Sequence, residues 1–171
     1  MIVSYLLWQQ IMKLLFCKYA IFSLLAEQKF KGFRVAKLSE DDWHGCPIRY
    51  AAKVLGDAWA LLILRDMVFK GSRHFGDFVA APEGVSTNIL TDRLKRLEAA
   101  GIVERRRDPE KAVRVIYELT EKGRDLVPVL LAMIQWSSAW DEAAEVPAEF
   151  RQALSEEPVA FASAIKAALA H

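Results

Sequence analysis

Two cysteines, Cys17 and Cys46, give no disulfide framework, so the 171 residues have to fold on a hydrophobic core in what is expected to be a reduced, cytoplasmic setting. Three scattered histidines, His44, His74 and His171, form no recognisable metal cluster, and His44 with Cys46 supplies only two ligands; no metal and no cofactor is expected. The formal net charge is only +1, so total charge gives no hint of a polyanionic partner. The run Gly71-Ser72-Arg73-His74-Phe75-Gly76 has the glycine spacing of a phosphate loop. It continues with Asp77-Phe78 where Lys and Ser or Thr would be needed, so that chemistry is missing. No nucleophile with an identifiable base is present either, and an enzyme is not expected. No small-residue cleavage site follows the apolar start of the chain, which excludes a secretory signal.

What the chain does have is apolar mass, 53% of its residues, enough for one compact and mostly helical domain. The organisation expected is an apolar extension over 1–36, a polar linker over 37–45, a folded domain over 46–140 and an Ala-rich helical tail over 141–171. Met1 to Ala26 could reach the roughly 20 residues needed to span a bilayer, but Lys13 and Lys18 inside it each cost about 3 kcal/mol near a membrane centre. Gln9, Gln10 and Lys13 make a polar strip, so two readings stand: an amphipathic helix on a partner or membrane surface, or a mis-assigned start ahead of a protein beginning at Met12 or near Val35. Membrane association of the whole is not expected.

Past the linker, Pro47 suits the first turn of a helix that would carry Ile48, Ala51, Ala52 and Leu55 inward and stop at Gly56. Asp57 can cap the next helix, Ala58 to Phe69, which is apolar almost all round and should be the buried centre, with Arg65, Asp66 and Lys70 on its wet side. A short helix over Gly76 to Ala80 precedes the turn Pro82-Glu83-Gly84, and Ser86 then caps a further helix. Leu90, Leu94 and Leu97 give that helix a packing face, while Thr87, Asn88, Thr91, Asp92 and Lys95 fall on other faces. Gly101 stops it. A strand from Val103 to Arg107 turns at Asp108-Pro109 and returns through Val113, Val115, Tyr117 and Leu119 in alternation. Between Arg93 and Arg114 eight basic residues stand against four acidic ones, so positive charge is concentrated on this helix and hairpin. Helix, turn, capped helix and basic ribbon form the layout of a winged helix-turn-helix DNA reader, a mainly α fold with a small β-hairpin wing and additional dimerisation helices. A solvated helix face and hairpin is the plainer use of such a charge run.

Specific motifs sharpen this. Cys46-Pro47-Ile48, Leu55-Gly56-Asp57-Ala58-Trp59, Leu61 to Asp66, Phe75-Gly76-Asp77-Phe78, Ile89 to Leu97, Gly101-Ile102-Val103 and Tyr117-Glu118-Leu119-Thr120-Glu121-Lys122-Gly123 occur in order. Over about Cys46 to Trp140 the chain resembles the HxlR-type family of bacterial transcriptional regulators. The resemblance implies a cytoplasmic homodimer that binds a palindromic double-stranded DNA operator and represses or activates a neighbouring gene. It places the helix from Ser86 to Ala100 in the major groove, with Ser86, Thr87, Asn88, Thr91, Asp92 and Lys95 at base edges and nearby phosphates. Asn88 is the first choice for a base contact, through two hydrogen bonds to adenine, against a local role at the helix start. Lys95 and Arg96 are expected on phosphates. Arg105, Arg106, Arg107, Lys111 and Arg114 charge the wing, with Arg107 and Lys111 nearest its tip. The resemblance also implies that Cys46 can sense oxidants or electrophiles, as a matching cysteine does in some members. Its place before a helix N-terminus, where the dipole favours negative charge, fits that role, and a small inert cysteine at an interface is the alternative.

Thr120 to Trp140 is expected as one long helix. Its stripe of Leu130, Met133, Ile134, Trp136 and Trp140 exceeds what a small winged domain can cover, so the same helix of a second copy is the expected partner, with the helix from Pro47 alongside. The tail offers an intramolecular alternative through Phe150, Leu154, Phe161, Ile165 and Leu169, and both arrangements can hold together. A winged-helix module that binds protein is the rival function. A small-molecule effector is left unidentified.

Overall fold

The computed structural model describes residues 46–109 and 113–170, so the readings made for the extension 1–36, the linker 37–45, Lys111 and His171 lie outside the described residues. The described chain forms, in order, α1 (Pro47–Leu55), α2 (Ala58–Phe69), α3 (Phe75–Val79), α4 (Thr87–Ala99), β1 (Val103–Arg107), β2 (Val115–Leu119), α5 (Glu121–Arg124), α6 (Val127–Trp140), α7 (Ala148–Glu156) and α8 (Pro158–Ala168). Among the described residues no helix is long and apolar enough to cross a membrane.

α1 buries none of its residues. Ile48 is 65% exposed and Ala51 and Ala52 are exposed, contrary to the inward face expected from their spacing; only Val54 and Leu55, at its end, meet the core. Apolar periodicity marks a face that can be buried without saying in which chain its partner lies.

The compact unit over 54–171 is built around α2. Asp57 starts that helix by accepting from the Ala60 N–H at 3.2 Å. Ile63, Leu64 and Met67 on α2 meet Leu90, Leu94 and Leu97 on α4, with Phe78 of α3 and Val103 of β1 closing the same core. Asp66 corrects the wet side assigned to α2: it is only 4% exposed. Lys70, one turn on, reaches its carboxylate at 2.9 Å and Arg65 donates to it at 2.8 Å, so the charge is buried beneath its own counter-ions.

Ser86 caps α4 by accepting from the Ile89 N–H at 3.3 Å, and Gly101 ends it with φ +67°, a conformation that costs other L-residues about 1–2 kcal/mol. The hairpin is antiparallel, in register from Val103 opposite Leu119 to Arg107 opposite Val115. The alternation expected on β2 is weak, since four of its five residues are half-buried, and Val113 lies outside the strand and wholly in solvent. Beyond the wing the chain departs from a single long helix. Thr120 caps the short α5, the chain turns at Asp125 and Leu126, and α6 restarts at Val127 with Pro128 in its first turn, where proline's missing N–H has no helical partner to lose. The tail packs back on α6: Leu154 and Ala162 join Val127 and Leu131 in a second core, and Phe150 stands edge-on to both Phe69 and Phe161 at centroid distances of 6.0 and 4.9 Å.

Candidate nucleic-acid interface

α3, the seven residues after it and α4 form the helix-turn-helix, and three contacts fix the unit. Tyr117 on β2 stacks edge-on against Phe78 on α3 at 6.4 Å, and its N–H donates to the Arg73 carbonyl at 2.8 Å. Arg93 on α4 grips Asp57 with Nε to Oδ1 at 2.7 Å and Nη2 to Oδ2 at 2.9 Å. This two-pronged bond holds the Asp57 carboxyl below its usual range and sets α4 against the N-terminus of α2. From the sequence Arg93 is one of eight local positive charges; in the structure it is a positioning residue. Its signal was the Asp57 and Arg93 pair inside the ordered motifs, which spacing alone does not join. His74 makes the third contact, its ring lying 3.4 Å from Asp108 at the turn end of the wing and 3.4 Å from Asp77 on α3. Burial raises the Asp77 carboxyl, but hydrogen bonds from the His74 and Arg73 N–H groups outweigh it and leave the group below its usual range.

With Leu90, Leu94 and Leu97 buried, α4 turns Ser86, Thr87, Asn88, Thr91 and Lys95 to solvent together. Thr91 donates its hydroxyl to the Thr87 carbonyl at 2.7 Å and keeps its acceptor capacity. Asp92 differs from these, because its carboxylate receives Arg93 and, at 2.9 Å, Nε of Arg96. On the wing Arg106 pairs with Glu118 and lies 3.7 Å from Glu104. Three of the basic groups are therefore paired within the chain. Lys95, Arg105, Arg107 and Arg114 are exposed and enter no ion pair among the described residues.

Residues 54–145 match the family described as HxlR-like helix-turn-helix, slightly more than half of the chain. The chain belongs to the HxlR-like helix-turn-helix family. It is similar to an HTH-type transcriptional regulator of Synechocystis, 44% identical over 99 residues that cover 58% of this chain and 73% of the relative. Among solved structures it resembles the transcription factor PA1607, at 33% identity and a TM-score of 0.57, over 64% of this chain and 75% of that one. It also resembles the redox regulator HypR in its oxidised form, at 31% identity and a TM-score of 0.51, over 57% of this chain and all of that one.

In this HxlR-like chain the residues expected at an interface between copies separate into groups. Leu130 is corrected: it is buried in the chain's own core beside α2, and Ile134 packs against the tail. Met133, Trp136 and Trp140 are exposed, the two tryptophans at 67% and 78%, and Val129 continues their face. Cys46 is partly exposed just ahead of α1.

Proposed function

We propose that this protein, a helix-turn-helix regulator of transcription, acts as a homodimer on a palindromic operator, with α4 in the major groove and the wing on the backbone or minor groove. The observation that carries the reading is the distribution of unpaired charge. The chain is nearly neutral, yet among the described residues the cations with neither an ion pair nor a side-chain hydrogen bond, Lys95, Arg105, Arg107 and Arg114, lie on α4 and the wing, beside the polar face that starts at Ser86. Ser86, Thr87, Asn88 and Thr91 then serve base edges and nearby phosphates, while Lys95, Arg107, Arg114 and, by its place in the sequence, Lys111 hold phosphates and fix register. Asp92 acts by holding Arg96 for the backbone. Asn88 reads adenine.

Val129, Met133, Trp136 and Trp140 support the dimer. Such a face on one helix is costly to leave in water, and beside it an apolar groove of about 450 Å³ runs between α2 and α6. A two-fold dimer reads half-sites about 10 base pairs apart, centre to centre. The test is a shift assay on the DNA upstream of the protein's own gene with non-specific competitor: competitor-resistant binding by a dimer supports the reading, and salt-insensitive binding to a protein with no DNA shift replaces it with an interaction module.

Control by oxidation at Cys46 is a second reading, favoured by the likeness to HypR and by the partial exposure of the thiol. Operator affinity that falls on mild oxidation in the native protein and not in Cys46→Ser supports it. Unchanged affinity in the oxidised native protein removes it.

A further inference from the structure

A cavity of about 280 Å³ lies behind the wing, lined mostly by residues of the stretch that matches the family. Part of its wall is made by Ala168, Leu169 and Ala170, which lie beyond residue 145 where that match ends. The tail is fixed there by Lys166, which pairs with Asp125 next to α5, and by Leu169, which packs into both cores. One wall of the space is thus supplied by residues beyond the matched stretch.

Its lining is two-sided. Met67, Val68, Leu119 and Leu169 supply apolar surface. Opposite in character are Arg73, Arg106 and Arg124, set against Glu104 and Glu118: three guanidiniums to two carboxylates, an excess of one positive charge. Arg106 pairs closely with Glu118, but two other pairings are loose, since Arg73 Nη1 is 3.4 Å from Glu118 and Arg106 Nε is 3.7 Å from Glu104. Arg124 gives one donor to the Leu119 carbonyl at 2.9 Å and has further donors on its fork.

We propose that this cavity binds a small organic monocarboxylate with an apolar body, and that it is an effector site of the regulator. Guanidinium forks are matched to carboxylates, and a volume close to the roughly 300 Å³ lower end of small-ligand sites suits an anion of the size of benzoate. The single excess positive charge balances a monoanion and leaves the second charge of hydrogen phosphate uncompensated, while the apolar wall suits an organic body that phosphate lacks. The ligand would touch parts that bear on DNA: Arg73 bonds both Tyr117 of the wing and, through its N–H, Asp77 of α3.

The test is thermal unfolding and calorimetry of the full chain at fixed ionic strength, with benzoate, hexanoate, neutral benzamide and inorganic phosphate as probes. Millimolar benzoate or hexanoate is expected to raise the unfolding temperature, and benzamide and phosphate at equal concentration are not. A168W should fill the cavity and abolish the effect. R73Q should weaken carboxylate binding by about tenfold, and because Arg73 lies at the surface it keeps the test decisive if A168W fails to fold. Equal stabilisation by benzamide, stabilisation by neither carboxylate, or full stabilisation retained in R73Q would each overturn the proposal. Binding is read without DNA, so its failure is distinct from failure of the operator reading.

Discussion

Asp57 caps α2 and receives Arg93 from α4, so one carboxylate ties the element in the core to the helix proposed to meet DNA. Replacing it with alanine is expected to lower stability by about 1 kcal/mol for the lost cap alone, and also to weaken operator binding because Arg93 no longer holds α4. A calorimetric scan and a shift assay on the same preparation check both effects. Asn88→Ala should differ: unfolding temperature unchanged, and about 1–3 kcal/mol of discrimination lost at a single base pair, visible when half-site variants are compared. Acid gives a third prediction. The hydrogen bond from Arg65 at 2.6 Å lowers the Glu83 carboxyl to about 2 from an unperturbed 4.5. A depressed carboxyl contributes stability above its unfolded value and loses it as pH falls through its folded one. Glu83→Gln should therefore be less stable than the native chain at neutral pH, by about 0.2–1 kcal/mol for a surface pair, and the two stabilities should converge between pH 4.5 and 2. A constant offset across that window would contradict the assignment. At this scale, residues whose role is local were legible: Asp57, Ser86 and Thr120 all cap the helices that follow them. Asp66 was not, because an acidic residue among apolar ones has an exposed and a buried solution, and the burial depends on how Lys70 and Arg65 fold over it.

The elements around α4 meet at Thr120 to Gly123. Thr120 donates its hydroxyl to the Gly101 carbonyl at 2.7 Å and accepts from the Gly123 N–H at 3.0 Å, while Lys122 reaches the Ala100 carbonyl at 2.7 Å. These bonds join the end of α4, the end of β2 and the start of α5. Gly123 is required by proximity, since a Cβ there would lie 2.1 Å from the backbone oxygen of Ile102. Gly123→Ala should cost about 1–3 kcal/mol or more, whereas Gly76→Ala, with nothing within 4 Å, should leave the denaturation midpoint essentially unchanged. Equal midpoints for the two would contradict this packing. The Thr-Glu-Lys-Gly run is plain in the sequence, but its geometry depends on a carbonyl some twenty residues earlier. The α2 and α4 helices and the first wing strand follow from periodicity and stop signals, so they fall where expected, whereas the second wing strand begins only at Val115, past Val113. The break before α6 was missed because Leu126, Val127, Val129 and Leu130 continue an apolar pattern through it, and Pro128 is compatible with either the first turn of a new helix or a kink in an old one.

For the whole molecule, the proposed homodimer rests on the exposed face of α6. Trp136→Asp combined with Trp140→Asp should give a folded monomer with native helix content and sharply weaker operator binding, measured by sedimentation beside a shift assay. A dimer unchanged by both substitutions would place the interface elsewhere. Leu130, part of the same sequence stripe, is buried inside the chain, because an apolar pattern names what is covered and not which chain covers it. The tail shows the same ambiguity resolved on the other side, its aromatic residues closing a second core on α6. The most direct test of the central claim is the salt dependence of operator binding by the full chain. If about four phosphates are neutralised by each copy, the dimer releases counter-ions from about eight and log affinity falls against log salt with a slope of roughly −7. A slope near zero would contradict DNA binding through α4 and the wing.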